Sequence, residues 1–264
     1  MYLQEHNVFS TLVSLINSDD PLASFLQPRV IRFFGSLSTK GDIGITIIEK
    51  NNVLQILNKI FESSSKDSKD AILTAIGYIG GSERGILLVN SSNIWNEYTY
   101  HLFMEDELRI VALHSLGHLL VNLSKQNVSS STMELVRKLV MNFPSRFGGF
   151  TNIVDVVMPL LKTPFPELRN ASFDVLNGLS SFVWGVQILM NYPGYFEYIT
   201  NRGTETTKGG KEWKWTIIQS TVKTVEKDHT ALDITRFKEL ELYVKLGAFY
   251  FKAENQVEVG EKAQ

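Results

Sequence analysis

Four stretches of the chain carry apolar residues three positions apart with small or polar residues between them. They are Pro28–Leu37 (PRVIRFFGSL), Lys69–Ile79 (KDAILTAIGYI), Leu108–Leu119 (LRIVALHSLGHL) and Leu168–Leu179 (LRNASFDVLNGL). Superimposed, they give three apolar columns: Ile31, Leu73, Leu113, Phe173; then Phe34, Ile76, Leu116, Leu176; then Leu37, Ile79, Leu119, Leu179. A step of three keeps side chains on one side of a helix, so each stretch predicts a helix with one buried stripe. Each also has an apolar helical stretch upstream: Val8–Ile16, Val53–Phe61, Trp95–Phe103, and the pair Thr132–Met141 and Ile153–Leu161.

The columns recur after 42, 40 and 60 residues. HEAT and armadillo repeats run about 40–47 residues, and the long third step calls for an extra helix or a loop insertion. The expected fold is therefore an all-α solenoid of HEAT/armadillo-like repeats, one domain over residues 1–252. Helix pairs stacked side by side would bury their stripes in one core. The breaks fall where such an array needs them, at Ser18-Asp19-Asp20-Pro21, Ser63–Asp67, Asn127–Ser131 and Lys162–Pro166. Asp67 or Ser68 is the expected cap of the second repeat helix, and Pro166 suits the first turn of the fourth. Gly35, Gly77 and Gly117 share a column inside predicted helices, where glycine costs about 1 kcal/mol against alanine, so close packing of a neighbouring helix is expected there. Beyond Val183 the pattern changes. Arg202–Lys211 reads as a polar loop, Trp213–Glu226 and Leu232–Tyr250 read as helices, and residues 253–264 read as a disordered tail.

The candidate chemistry is sparse. His114 and His118 share one helical face, but Ser115-Leu116-Gly117 between them supplies no glutamate base, and no third ligand is placed by spacing. Lys69, Arg109 and Arg169 occupy one column, either as a basic ladder for an acidic partner or as bridges to neighbouring acids and helix ends; the second reading is preferred. Gly80-Gly81, Gly148-Gly149 and Gly209-Gly210 fit no phosphate loop and read as turns. No GxSxG sequence is present. Aromatic residues gather late in the chain, from Tyr192 to Phe251, as a core that closes the end of the solenoid or as an anchor for a partner. Neither a catalytic site nor a cofactor or metal site is expected.

Composition narrows the field further. The chain has 264 residues, 44% of them hydrophobic and 20% charged, with 7 prolines and no cysteine. That is enough apolar material for a large core, and it removes disulfides and thiolate sites. The net charge of −2 and pI near 6.2 speak against nucleic acid as the main ligand. There is no run of about 18 apolar residues for a membrane span, and Met1–Thr11 lacks the pattern of a signal peptide. The expected compartment is the cytosol, with the nucleus as a second.

The last third of the chain carries a more specific likeness. Pro193–Arg202 (PGYFEYITNR), Thr204-Glu205, Lys208–Trp215 (KGGKEWKW) and Leu242–Lys252 (LYVKLGAFYFK) resemble the proteasome non-ATPase regulatory subunit 5 family. That resemblance implies an α-solenoid acting as an assembly chaperone of the 26S proteasome. Such a chaperone binds the C-terminal domain of a proteasomal ATPase subunit during assembly of the regulatory-particle base, and leaves before the particle is complete. It implies proteasomal ATPase subunits as partners, and no cofactor, small-molecule substrate, nucleic acid or membrane. A generic HEAT/armadillo adaptor of another complex is the alternative. Family members are about twice this long, so the chain would correspond to a C-terminal half. Exposed apolar side chains at Val8, Leu12, Leu15 and Ile16 would then mark an open edge, since terminal repeats carry a polar cap.

The resemblance places no contact residue, but the columns do. Side chains of the repeat helices that point away from the core are Arg32, Thr74, His114 and Asp174, then Ser36, Tyr78 and His118. They are expected to line a concave face whose mixed polarity suits a protein partner.

Overall fold

The computed structural model describes residues 7–18, 20–104, 107–141, 150 and 152–251, and among these every regular element is helical. In chain order they are α1 (Val8–Ile16), α2 (Pro21–Ser38), α3 (Asp42–Lys50), α4 (Val53–Ile60), α5 (Lys66–Gly80), α6 (Glu83–Ser91), α7 (Ile94–Phe103), α8 (Arg109–Ser124), α9 (Ser130–Met141), α10 (Ile153–Leu160), α11 (Pro166–Ser180), α12 (Val183–Asn191), α13 (Tyr195–Thr200), α14 (Lys208–Lys227) and α15 (Ile234–Leu246), with a 3₁₀ turn at His229–Ala231. The tail expected at 253–264 and the turn at Gly148-Gly149 lie outside the described residues.

The long helices α2, α5, α8, α11 and α14 pack one against the next as an inner layer, and the short helices between them form an outer one. Partners fall in ascending order along each pair: Gln27 with Ser68 and Gly35 with Ala75, Phe173 with Trp213 and Ser180 with Thr224. The inner helices therefore run parallel. The three predicted columns are fully buried between the layers, apart from Leu37, which is half-buried.

The repeat holds three helices where helix pairs were expected. The additions are α3, α6 and α12, each nine residues long. Each turns sharply across the end of the preceding inner helix. A Cβ on Gly44, Gly85 or Gly185 would come within 2.7, 2.8 and 2.8 Å of the carbonyl carbons of Leu37, Ile79 and Leu179. Only glycine allows that crossing, and glycine in a nine-residue window blurs the helical period. Between α8 and α11 there are again two helices, so the long third step is a longer α9 plus the connection to Ile153, much of it outside the described residues.

Local signals set the other boundaries. Asp20 accepts from the N–H of Leu22, and Pro21 takes the first helical position, where no N–H is needed. Pro166 starts α11 in the same way. The cap of α5 is Ser65, not Asp67 or Ser68; it accepts from the N–H of Ser68, whose own buried hydroxyl donates 2.7 Å to Gln27 Oε1 on α2. The predicted loop Arg202–Lys211 ends early. Thr207 caps α14 by accepting from Gly210 N, so Gly209-Gly210 lie in a helix and not in a turn.

The glycine column behaves as expected. A Cβ at Gly35 would lie 2.9 Å from Ala75 Cα, one at Gly77 2.6 Å from the carbonyl oxygen of Ser115, and one at Gly117 2.6 Å from the backbone of Asp174. Ser115 then donates 2.6 Å to Leu73 O, a buried bond between adjacent inner helices.

The C-terminal end closes over charge as well as aromatics. Tyr195 is buried, Trp213 stacks on Phe173, and Trp215 donates its indole N–H to Val244 O. Lys214, 1% exposed, donates to Asn201 O and to Thr204 Oγ1. Glu205, also buried, accepts from Tyr198 OH at 2.9 Å and pairs with Arg169 at 3.8 Å. Burial pulls the Lys214 ammonium down to about 8, against the opposing pull of Glu205.

Two outcomes follow. Helix propensity alone favours alanine over glycine at both Gly117 and Gly209, but only Gly209 has open space around it. Gly117→Ala is expected to lower unfolding free energy by about 2 kcal/mol, and Gly209→Ala to raise it by up to about 1 kcal/mol; chemical denaturation measures both. The second concerns pH. Above about 8 the folded chain releases the Lys214 proton, while the unfolded chain holds it to 10.5, so the unfolded state binds more protons in between and stability rises with pH. Buried Tyr98 and Tyr195, held protonated in the fold, reverse the trend near the ordinary tyrosine value of 10.0. The thermal midpoint should rise from pH 8 towards 10 in the native chain and stay flat in Lys214→Met.

Candidate partner-binding face

The side of the inner layer turned away from the short helices carries the residues singled out from the columns. Arg32 and Ser36 are exposed on α2, Thr74 is half-buried and Tyr78 exposed on α5, His114 is half-buried and His118 exposed on α8, and Asp174 is half-buried on α11. The parallel ladder sets them in rows that cross the helices.

Two rows are tied by contacts the sequence does not announce. His114 Nδ1 meets Asp174 Oδ2, a pair 60 residues apart that bridges α8 and α11. The rings of Tyr78 and His118 lie 6.1 Å apart, tilted by 41°, and bridge α5 and α8. The histidines thus face different helices instead of converging, and among the described residues no three His, Asp or Glu side chains cluster as metal ligands. Ser36 and Thr74 turn their hydroxyls to their own helices, donating to Phe33 O and Asp70 O at 2.8 Å each. They shape the face but have spent their donors.

Asp70 belongs to this face and escaped the sequence reading. It sits one turn before Thr74, in the column of Pro28, Ile110 and Asn170, where nothing flags an acid. Its Oδ1 is buried without a hydrogen-bond partner. Burial raises its carboxyl above the ordinary range, with Lys66 and Arg32 pulling the other way. Arg32 and Asp70 therefore act on one another across α2 and α5.

The basic column points elsewhere. Arg109 is buried, and Arg169 donates 3.0 Å to Thr163 O beside its ion pair with Glu205. Lys69 lies over the ring of Phe61, 5.5 Å from its centre. Arg169 thus ties α11 to the loop before it and to Glu205, and the three cations do not form a ladder on the face. The late aromatics divide as well. Tyr195, Trp213 and Tyr243 build the closing core, with the Arg202 guanidinium 3.7 Å over Tyr243, while Phe249 and Phe251 stay exposed.

Comparison with known proteins agrees with this architecture. A designed armadillo repeat protein superposes with a TM-score of 0.57 at 11% identity, over 89% of this chain and 98% of the other. A computationally designed armadillo repeat protein for modular peptide recognition superposes at 0.55 and 14%, over 91% and 99%. At those identities the likeness is one of fold. In sequence, the 26S proteasome non-ATPase regulatory subunit 5 of Bos taurus is 25% identical over 95% of this chain and 50% of its own length. That of Homo sapiens is 24% identical over the same shares, so the chain spans about half the length of these curated relatives. A model of the family described as proteasome non-ATPase 26S subunit matches residues 1–263, and the chain belongs to that family.

Proposed function

We propose that this chain serves the proteasome as a binding protein: a stoichiometric assembly chaperone of the regulatory-particle base that holds the C-terminal domain of a proteasomal ATPase subunit and is released before the particle matures. The observation that carries the reading is family membership along residues 1–263, together with relatives named as non-ATPase regulatory subunits of the 26S proteasome. The inner face supports it. Arg32, Tyr78, His118 and the His114–Asp174 pair offer charge, aromatic surface and hydrogen-bonding groups across three or four helices. Such a mixed surface matches what a folded protein domain presents at an interface. The proposed action is binding without catalysis or cofactor, in the cytosol and nucleus.

The alternative is a generic HEAT/armadillo adaptor of another complex, which the solenoid fold would equally allow. One capture experiment separates the two. With the chain as bait, proteasomal ATPases without core-particle subunits are the expected catch, and importins or phosphatase subunits would overturn the chaperone reading. Arg32→Glu combined with Asp174→Lys should cut ATPase capture about tenfold, with circular dichroism confirming an intact fold. Lys238→Glu, on the exposed surface of α15, should leave it unchanged. Undiminished capture by the double variant would remove the inner face from the interface, and saturable turnover of any substrate would overturn the non-catalytic reading.

A further inference from the structure

A groove crosses the carboxyl-end edge of the inner layer, beside the rows just described. It lies where α2, α5 and α8 end, has a volume of about 290 Å³, and is walled in part by Ser38, Asp42, Tyr78, Gly81, Asn122 and Lys125. Pockets for whole small molecules begin at about 300 Å³, so this one suits a single inserted side chain. Tyr78 belongs both to the groove and to the inner face, where it meets His118, so a partner seated on the face reaches the groove without a break.

Most polar groups around the groove are already engaged. Ser38 and Thr39 donate to Gly35 O and Ser36 O at 2.6 and 2.7 Å, Ser82 accepts from Gly85 N at 3.1 Å, and Gln126 donates to Gly81 O at 2.9 Å. These bonds fix the walls. Three side-chain groups are left over: the carboxylate of Asp42 on α3, the hydroxyl of Tyr78 on α5 and the amide of Asn122 on α8. None of the three has a hydrogen-bond partner among the described residues. The charge around them has one sign for the most part. Because the inner helices run parallel, α2, α5 and α8 bring three carboxyl ends to one place, each equivalent to about half a negative charge over its last turn. Asp42 adds a full negative charge from the first turn of α3. Lys125, at the end of α8, opposes them, yet neither it nor Asp42 forms an ion pair among the described residues.

We propose that this groove receives an arginine side chain of the protein that occupies the inner face; the inference rests on that face being the one that binds. A guanidinium is flat and carries five donors in a fixed fork. It addresses at once acceptors held by three separate helices, and it stacks on aromatic rings, of which Tyr78 offers one that is 36% exposed. A lysine ammonium gathers its three donors at one point and is more strongly hydrated. A metal ion fits less well, since no three carboxylate or imidazole ligands cluster among the described residues.

The test has two arms, both with the full chain. In the first, NMR titration compares end-blocked Gly-Arg-Gly, Gly-Lys-Gly and Gly-citrulline-Gly, the last an uncharged counterpart of the first. The arginine peptide should shift the amide signals of Thr39, Asp42, Gly81 and Asn122 saturably, the lysine peptide should bind more weakly, and the citrulline peptide should not bind. Asp42→Asn should weaken the arginine peptide about fivefold, and Lys125→Met should strengthen it, a gain that a merely structural lysine would not give. In the second arm, Asp42→Asn should lower capture of proteasomal ATPases about fivefold. Asp42 and Lys125 are both exposed, so the variants should keep the native circular dichroism spectrum. No saturable shift, equal binding of the three peptides, or arginine binding untouched by Asp42→Asn would overturn the proposal. Undiminished ATPase capture by Asp42→Asn would overturn it too, giving the groove to a free guanidinium compound instead of the partner. A native chain that captures no ATPase would instead remove the chaperone reading, and the peptide arm alone would then decide the groove.

Discussion

The backbone contact between successive inner helices governs everything built on them. Gly35 against Ala75, Gly77 against Ser115 and Gly117 against Asp174 let parallel helices approach until a single methyl would collide with main chain. At that separation Ser115 can reach Leu73 O across the gap, and the column from Ile31 to Phe173 is fully buried. The same approach sets the pitch of the exposed rows. His114 reaches Asp174, and Tyr78 reaches His118, because the helices beneath them are held close by residues on the buried side. The face that is proposed to bind is thus specified from behind.

Much of this was legible in sequence. The three apolar columns recur at near-constant period, and the burial of Ile76, Leu116 and Leu176 follows from that register. The glycine column could be read too, since repeated use of a poor helix former at one position has few causes other than close packing. What escaped has physical reasons. Helices α3, α6 and α12 are short, and each carries the glycine its crossing demands, so no long periodic run announces them. The start of α14 lies earlier than the sequence suggests because Gly209-Gly210 look like a turn, whereas Thr207 caps a helix that runs straight through them.

The site was half legible. Which side chains face outward came from the register alone. Which of them touch did not, because His114 and Asp174 are distant in sequence and Asp70 stands in a column with no acidic precedent. The buried group around Lys214 was invisible for a further reason. Nothing in KGGKEWKW marks one lysine for burial, and only the fold shows that Lys214 reaches under the loop to Asn201 and Thr204. Charge there secures the end of the solenoid, whereas on the inner face Arg32 stands exposed and Asp174 is tied to His114.

The parallel arrangement of the inner helices carries one more consequence. Each helix has a positive amino end and a negative carboxyl end, and in a parallel ladder these ends add instead of cancelling. The solenoid is therefore polarised across its width. At the amino ends Asp67, Glu107 and Glu167 stand beside Lys66 and Lys208, and past the carboxyl ends of α2 and α8 and at that of α14 stand Lys40, Lys125 and Lys227. A partner lying across the rows would pass from one edge to the other, and its own charge gradient would decide which way round it lies.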